Sequence, residues 1–150
     1  MNWLYYEDEI VNISQFPEGT FGFIYKVTHI PSNKIYIGKK VLYHNQKKKL
    51  TKAELELSTG RGRKSLYKII QKESDWKTYY GSQKDIKEYI TQGKKEEFKR
   101  EIIQFVNNKK LLTYFETKWL FINGVLEHPD MFYNDNILGK FYRKDFDTQE

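Results

Sequence analysis

Residues 21–41, FGFIYKVTHIPSNKIYIGKKV, constrain the fold more than any other part of the chain. Two alternating runs, 21–30 and 34–41, flank Pro31-Ser32-Asn33-Lys34, a tetrapeptide of turn formers. With those four residues as the loop, Ile30 faces Ile35, Thr28 faces Ile37 and Lys26 faces Lys39. One face of the hairpin then carries Ile24, Thr28, Ile30, Ile35, Ile37 and Val41, interrupted by Lys26 and Lys39. The other carries Phe23, Tyr25, Val27, His29, Tyr36, Gly38 and Lys40. A slip of one residue would scatter the aliphatic set over both faces, so the register is specified. The pattern predicts a hairpin that buries its aliphatic face and presents Tyr25 and Tyr36 together on the other. Lys40 falls opposite Tyr25 in this register.

Elsewhere the signals are shorter. KAELEL reads as a short helix and SLYKIIQKE as another, with STGRGRK a loop between them. A helix is predicted near 83–92, with Ser82 as N-cap and Gly93 just past its end. FKREIIQFV, residues 98–106, reads as a third strand. From 108 to 123 the positions Leu112, Phe115, Trp119 and Ile122 follow helical spacing. The tail is loop-like, with room for one more short element. A chain of 150 residues fits one domain with a real core, here of the α+β class.

Composition narrows the function classes. Without cysteine there is neither a disulfide framework nor a thiolate metal site. The N-terminus, MNWLYYEDEIVN, lacks the basic and apolar regions of a signal peptide. No stretch approaches the roughly 20 apolar residues of a membrane span. A soluble cytoplasmic protein with no membrane partner is expected. The net charge is +6, and its distribution says more than its size. Residues 1–20 hold Glu7, Asp8, Glu9 and Glu18 and no lysine or arginine, hence −4. Residues 39–78 hold twelve lysines and arginines against Glu54, Glu56, Glu73 and Asp75, hence +8. That concentration suits a polyanion surface, and equally a solvated basic loop.

Several motifs in order resemble the GIY-YIG nuclease family. Phe23-Ile24-Tyr25 stands where the family has Gly-Ile-Tyr, and Tyr36-Ile37-Gly38 matches Tyr-Ile-Gly. YYGS, Gly93 and Phe98 resemble the second block, placing Tyr80 at its His/Tyr position. YFETKWL resembles the glutamate helix and gives Glu116; FYNDN resembles the closing Tyr-Asn and gives Asn134. The resemblance spans about residues 21–136. It implies a three-stranded antiparallel sheet flanked by helices, with a basic insertion at about 42–78. It implies an endonuclease that cuts phosphodiester bonds by direct attack of water, with one Mg²⁺ or Mn²⁺ ion. The small, lysine- and tyrosine-rich form resembles phage-encoded members, homing types included.

The same resemblance assigns roles. Tyr25 and Tyr36 position and deprotonate the water, a task for which a phenol of pKa about 10 needs a nearby cation such as Lys40. Glu116, on the flank of an apolar helix face, is the metal ligand. The arginine that would grip the phosphate is Arg63, or else Arg61, delayed by the insertion. Tyr80 orients water or substrate, and Gly38 and Asn134 brace the site. Lys47, Lys48, Lys49 and Lys64 are the expected DNA contacts. The plain alternatives are two tyrosines in an aromatic core, a solvent-facing glutamate and arginines that merely touch DNA backbone. His29, His44 and His128 are scattered and read as incidental. Phe23 departs from the family's glycine and raises the prospect of a blocked site. With sixteen residues past Asn134, selectivity is expected to come from the insertion, from a homodimer or from a partner protein. A non-catalytic nucleic-acid binder and an RNA-directed nuclease are the competing functions.

Overall fold

The computed structural model describes residues 1–57 and 66–147. In chain order its strands and helices are β1 (Trp3–Tyr5), β2 (Asp8–Ile10), β3 (Gly22–His29), β4 (Lys34–Val41), β5 (Tyr43–Lys49), α1 (Lys52–Glu56), β6 (Tyr67–Glu73), α2 (Lys84–Thr91), β7 (Phe98–Val106), α3 (Lys109–Ile122), β8 (Asn136–Ile137) and β9 (Phe141–Tyr142). The chain divides into two compact units, Met1–Leu42 with Asp75–Glu150, and Tyr43–Ser74.

The first unit is built on a mixed five-stranded sheet of order β2-β1-β7-β3-β4. Strand β3 is antiparallel to both β4 and β7, and β1 joins β7 in parallel. This corrects the expected three-stranded antiparallel sheet. The addition is an N-terminal hairpin whose strands, three residues each, are too short to write a periodicity into the sequence.

The β3–β4 hairpin differs from expectation by two residues in register. Thr28 faces Ile35, Val27 faces Tyr36 and Tyr25 faces Gly38. The loop is Ile30–Asn33 instead of Pro31–Lys34, because Asn33 takes a left-handed backbone (φ 60°) and its N–H closes on the His29 carbonyl at 2.7 Å. A shift of two preserves every side chain's face. It does move Lys40, which lies opposite Phe23 and not Tyr25.

As predicted, the aliphatic face is buried. Ile24 and Ile37 pack with Leu112 and Leu120 of α3 and with Val125, Leu126, Phe132 and Ile137. Each such side chain contributes about 1.5–3 kcal/mol through removal from water. The opposite face is buried as well. Phe23 and Tyr25 lie against Trp3 with ring centroids 5.2 and 5.4 Å away, and Phe16 bridges to Trp76 at 5.0 Å. Phe23 is therefore core, and its ring does not obstruct the edge of the sheet.

Helices α2 and α3 fall where the sequence places them, as does β7. The N-cap of α2 is Gln83, whose side chain accepts from the Ile86 N–H at 3.0 Å. Ser82 is otherwise engaged, as described below. In the second unit β5 and β6 pair antiparallel from Tyr43↔Glu73 to Lys49↔Tyr67. A capping box at Thr51 and Glu54 starts α1. The helix expected at SLYKIIQKE is thus a strand, since Ile69 and Ile70 suit a pleated strand and a partner is available across the ladder. Among the described residues no helix is long and apolar enough to cross a membrane.

Candidate active site

Strand β4 is the open edge of the main sheet, and its outward backbone groups organise the site. At Ile35 the N–H donates to the Met131 carbonyl at 2.9 Å and the carbonyl accepts from Tyr133 at 2.8 Å. At Ile37 both groups are taken by one side chain: Asn134 Oδ1 accepts the N–H at 3.1 Å and Nδ2 donates to the carbonyl at 2.9 Å. At Lys39 the N–H faces the Glu116 carboxylate and acts to lower its pKa. Three alternate residues of an edge strand thus find partners that are not another strand. The last two are side chains that the sequence had singled out.

Glu116 comes from α3, whose Leu112 and Leu120 are buried against the sheet. It lies four residues from each, half-buried where the apolar stripe meets the open cleft. Burial accordingly pushes its carboxyl above the usual carboxylate range, while the Lys39 ammonium and the Lys39 N–H partly offset that rise. Lys39 is held there by a 2.9 Å hydrogen bond from Nζ to Thr113 Oγ1.

Helix α3 covers the aliphatic face, whereas the tyrosines belong to the aromatic one. They meet because β4 is the last strand and Gly38 has no side chain. A β-carbon at Gly38 would lie 2.5 Å from the Tyr25 hydroxyl and 3.0 Å from the Tyr36 ring. Gly81 (φ 110°) closes the other side, with Tyr36 ring atoms 3.3 Å from where its β-carbon would stand. Tyr25 is only 1 % exposed, and its ring meets that of Tyr79 edge to face. Burial first, then the Tyr36 and Tyr79 phenols, push its pKa well above that of a free phenol. The Tyr36 hydroxyl bonds Ser82 Oγ at 3.0 Å. Burial raises its pKa too, against a lowering by Ser82. The Glu116 charge acts on both phenols.

An open cleft of about 460 Å³ runs along this edge, lined by Tyr36, Lys39, Ser82, Lys84, Glu116 and Asp135 among others. Of the expected residues, the structure brings together Tyr36, Glu116 and Asn134 in its walls, with Gly38 beneath the tyrosines. Tyr25 sits behind Tyr36, sealed in the aromatic layer, so the expected presentation of both phenols on an open face holds for one. Lys40 does not serve Tyr25: its Nζ pairs with Asp75 Oδ1 at 2.5 Å and lies 3.9 Å from the centre of the Tyr79 ring. Tyr80 points elsewhere, its ring 4.1 Å from the Arg100 guanidinium carbon. The neighbouring Tyr79 is the tyrosine that meets Tyr25, with centroids 5.9 Å apart. Arg61, Arg63 and Lys64 lie outside the described residues. Lys47, Lys48 and Lys49 are exposed on β5 in the second unit.

Sequence reasoning missed Ser82, Lys84 and Asp135 as cleft residues, and Arg143 as a support. Arg143 Nη2 donates to the Phe132 carbonyl at 2.9 Å and to the Asn134 carbonyl, fixing the segment that presents Asn134. Asp135 adjoins Asn134 in FYNDN and was legible there; Arg143 carried no signal. Among the described residues no cluster of three or more metal-ligating side chains occurs. Mg²⁺ does not need one, since it binds through one or two carboxylates and keeps several waters. A half-buried carboxylate on the cleft wall, with a second carboxylate on the same cleft, fits that demand.

A family model described as "Putative endonuclease segE, GIY-YIG domain" matches residues 3–137. No curated protein and no solved structure matches the chain.

Proposed function

The chain belongs to the GIY-YIG nuclease family, and from that premise we propose that it is a DNA endonuclease whose catalytic centre is the β4-edge cleft. Glu116 is the ligand for one Mg²⁺ or Mn²⁺ ion, with Asp135 as the neighbouring carboxylate. When bound, that ion supplies positive charge for the phosphoryl oxygens and lowers the pKa of a coordinated water. Tyr36 orients the attacking water through its hydroxyl, with Ser82 fixing the rotamer. Lys39 and Lys84 hold non-bridging oxygens from the cleft walls. With pKa values raised by burial, both phenols are neutral donors at pH 7. Tyr25 accordingly acts on the position of Tyr36 rather than on the substrate. Asn134 and Arg143 keep the β4 edge in shape.

One observation carries this reading: the Glu116 carboxylate and the Tyr36 phenol, from opposite faces of one edge strand, line the same cleft, and the charge of the first acts on the second. The test is nicking of supercoiled plasmid with Mg²⁺. Glu116→Ala loses activity roughly 10³-fold and Tyr36→Phe about 10²-fold, with Tyr25→Phe affected least. Equal activity in every preparation rejects the site. Binding without cutting by the unsubstituted chain makes it a nucleic-acid binder that kept the fold. Cutting of RNA alone moves the substrate class.

A further inference from the structure

The turn between β8 and β9 holds a residue that the fold itself does not require. Leu138 adopts the left-handed backbone (φ 58°), which residues other than Gly, Asn and Asp rarely enter. It is 52 % exposed, so it fills no core. The turn is secured by other groups: Asn136 Oδ1 accepts the Gly139 N–H at 3.1 Å, and the Tyr142 hydroxyl donates to the Gly139 carbonyl at 3.0 Å. A strained, solvent-facing hydrocarbon at a loop tip points to a use outside the fold.

Its position says which. Leu138 lines the β4-edge cleft and also a second, apolar groove of about 610 Å³ on the outer face of α3. Tyr114, Phe121 and Ile122, all exposed, supply that groove's apolar wall, and Lys110 and Lys118 stand on it as well. We propose that Leu138 is a base-step wedge: it inserts into the duplex beside the scissile phosphate, and the unstacked base lies in the α3 groove against Tyr114 and Phe121. This rests on the reading of the cleft as a phosphodiester-cutting site. Continuity of groove and cleft through one residue, and cationic side chains within an apolar lining, favour a nucleic acid over a protein partner. Leucine is a known type of intercalating wedge, aromatic faces accept any base, and lysines take the flanking phosphates. Cutting then favours steps that unstack easily, such as TA and CA/TG, and mismatches.

The test compares the unsubstituted chain with Leu138→Asn, which suits the left-handed backbone, and with Leu138→Gly as a second variant. On a fully paired duplex both variants cut about tenfold slower or worse, and on the same duplex opened by a mismatch at the cut step the loss shrinks to about twofold. Equal losses on the two substrates, or no loss on either, overturn the proposal. A second arm needs no cleavage. Glu116→Ala bound to a mixed-sequence duplex makes one or a few thymines hyperreactive to permanganate, and adding Leu138→Asn abolishes that signal. Binding without hyperreactive thymines overturns the wedge, as does no binding. If the unsubstituted chain binds and unstacks DNA but never cuts it, the catalytic reading fails and the wedge stands. If Leu138→Asn instead dissolves a dimer seen by sedimentation, with permanganate reactivity unchanged, the groove is a subunit interface and the proposal falls.

Discussion

Two antiparallel strand pairs of similar length sit in this molecule under opposite conditions. In β3–β4 both faces of β3 are packed, with Ile24 on one side and Phe23 and Tyr25 on the other all but inaccessible. In β5–β6 the lysines of β5 are exposed and Ile69 of β6 is 67 % exposed. A strand packed on both faces is fixed by its neighbours, and β3 in turn holds the paired β4, which carries Tyr36 and the Glu116 contact, in one register. A two-stranded pair gains little stability from burial, and its exposed lysines and isoleucine remain available to a polyanion. The first pair suits chemistry and the second suits contact.

The sharpest break in that comparison comes from Glu116→Gln. Cleavage falls roughly 10³-fold, yet the melting temperature rises. The sign follows from the raised carboxyl pKa: the folded state binds the proton more tightly than the unfolded one. That contribution to stability is full below the unfolded pKa and lost as pH rises through the folded pKa. Glutamine removes the cost of the buried charge at pH 7, a trade of stability against activity. A lower melting temperature would contradict the account.

Next in size is a matched pair of truncations. Ile24→Ala costs about 2–5 kcal/mol in urea denaturation, whereas Ile69→Ala changes stability by less than about 0.5 kcal/mol. Comparable costs would mean that β5–β6 is packed after all. Smaller again is Lys47, Lys48 and Lys49→Gln, which lowers the slope of log affinity against log salt by about 2–3 and leaves the melting temperature unchanged. An unchanged slope removes those residues from the contact surface. The smallest effect is on pH. The acid limb of the nicking rate lies above the ordinary carboxylate range, because Glu116 protonates early, and it moves down as Mg²⁺ is raised. A limb indifferent to Mg²⁺ belongs to another group.

The same contrast explains how much was legible. Strands β3, β4 and β7 and helix α3 alternate or repeat because burial selects their side chains, so their sequence carries the fold. Even there the register was read two residues off, since nothing in the pattern distinguishes shifts that preserve the faces; the left-handed Asn33 decides it. Strands β1, β2 and β5 were silent, the first two through brevity and the third because lysines on both faces leave no period. Glu116 and Asn134 were legible as types in a motif. Their shared dependence on the outward groups of β4 was not, because edge-strand hydrogen bonding leaves no mark on side-chain pattern. Tyr80 was preferred to Tyr79 because adjacent tyrosines cannot be told apart without knowing which one turns inward.

The central claim is that the β4 edge gathers Glu116 and the tyrosine pair around one metal position. Mn²⁺ titration followed by NMR of tyrosine ring resonances tests it directly. The account predicts that one equivalent broadens Tyr36 most and Tyr25 next, leaves Tyr80 sharp, and does none of this in Glu116→Gln. Broadening centred on Tyr80 or on the exposed tyrosines, or broadening that survives Glu116→Gln, would contradict it.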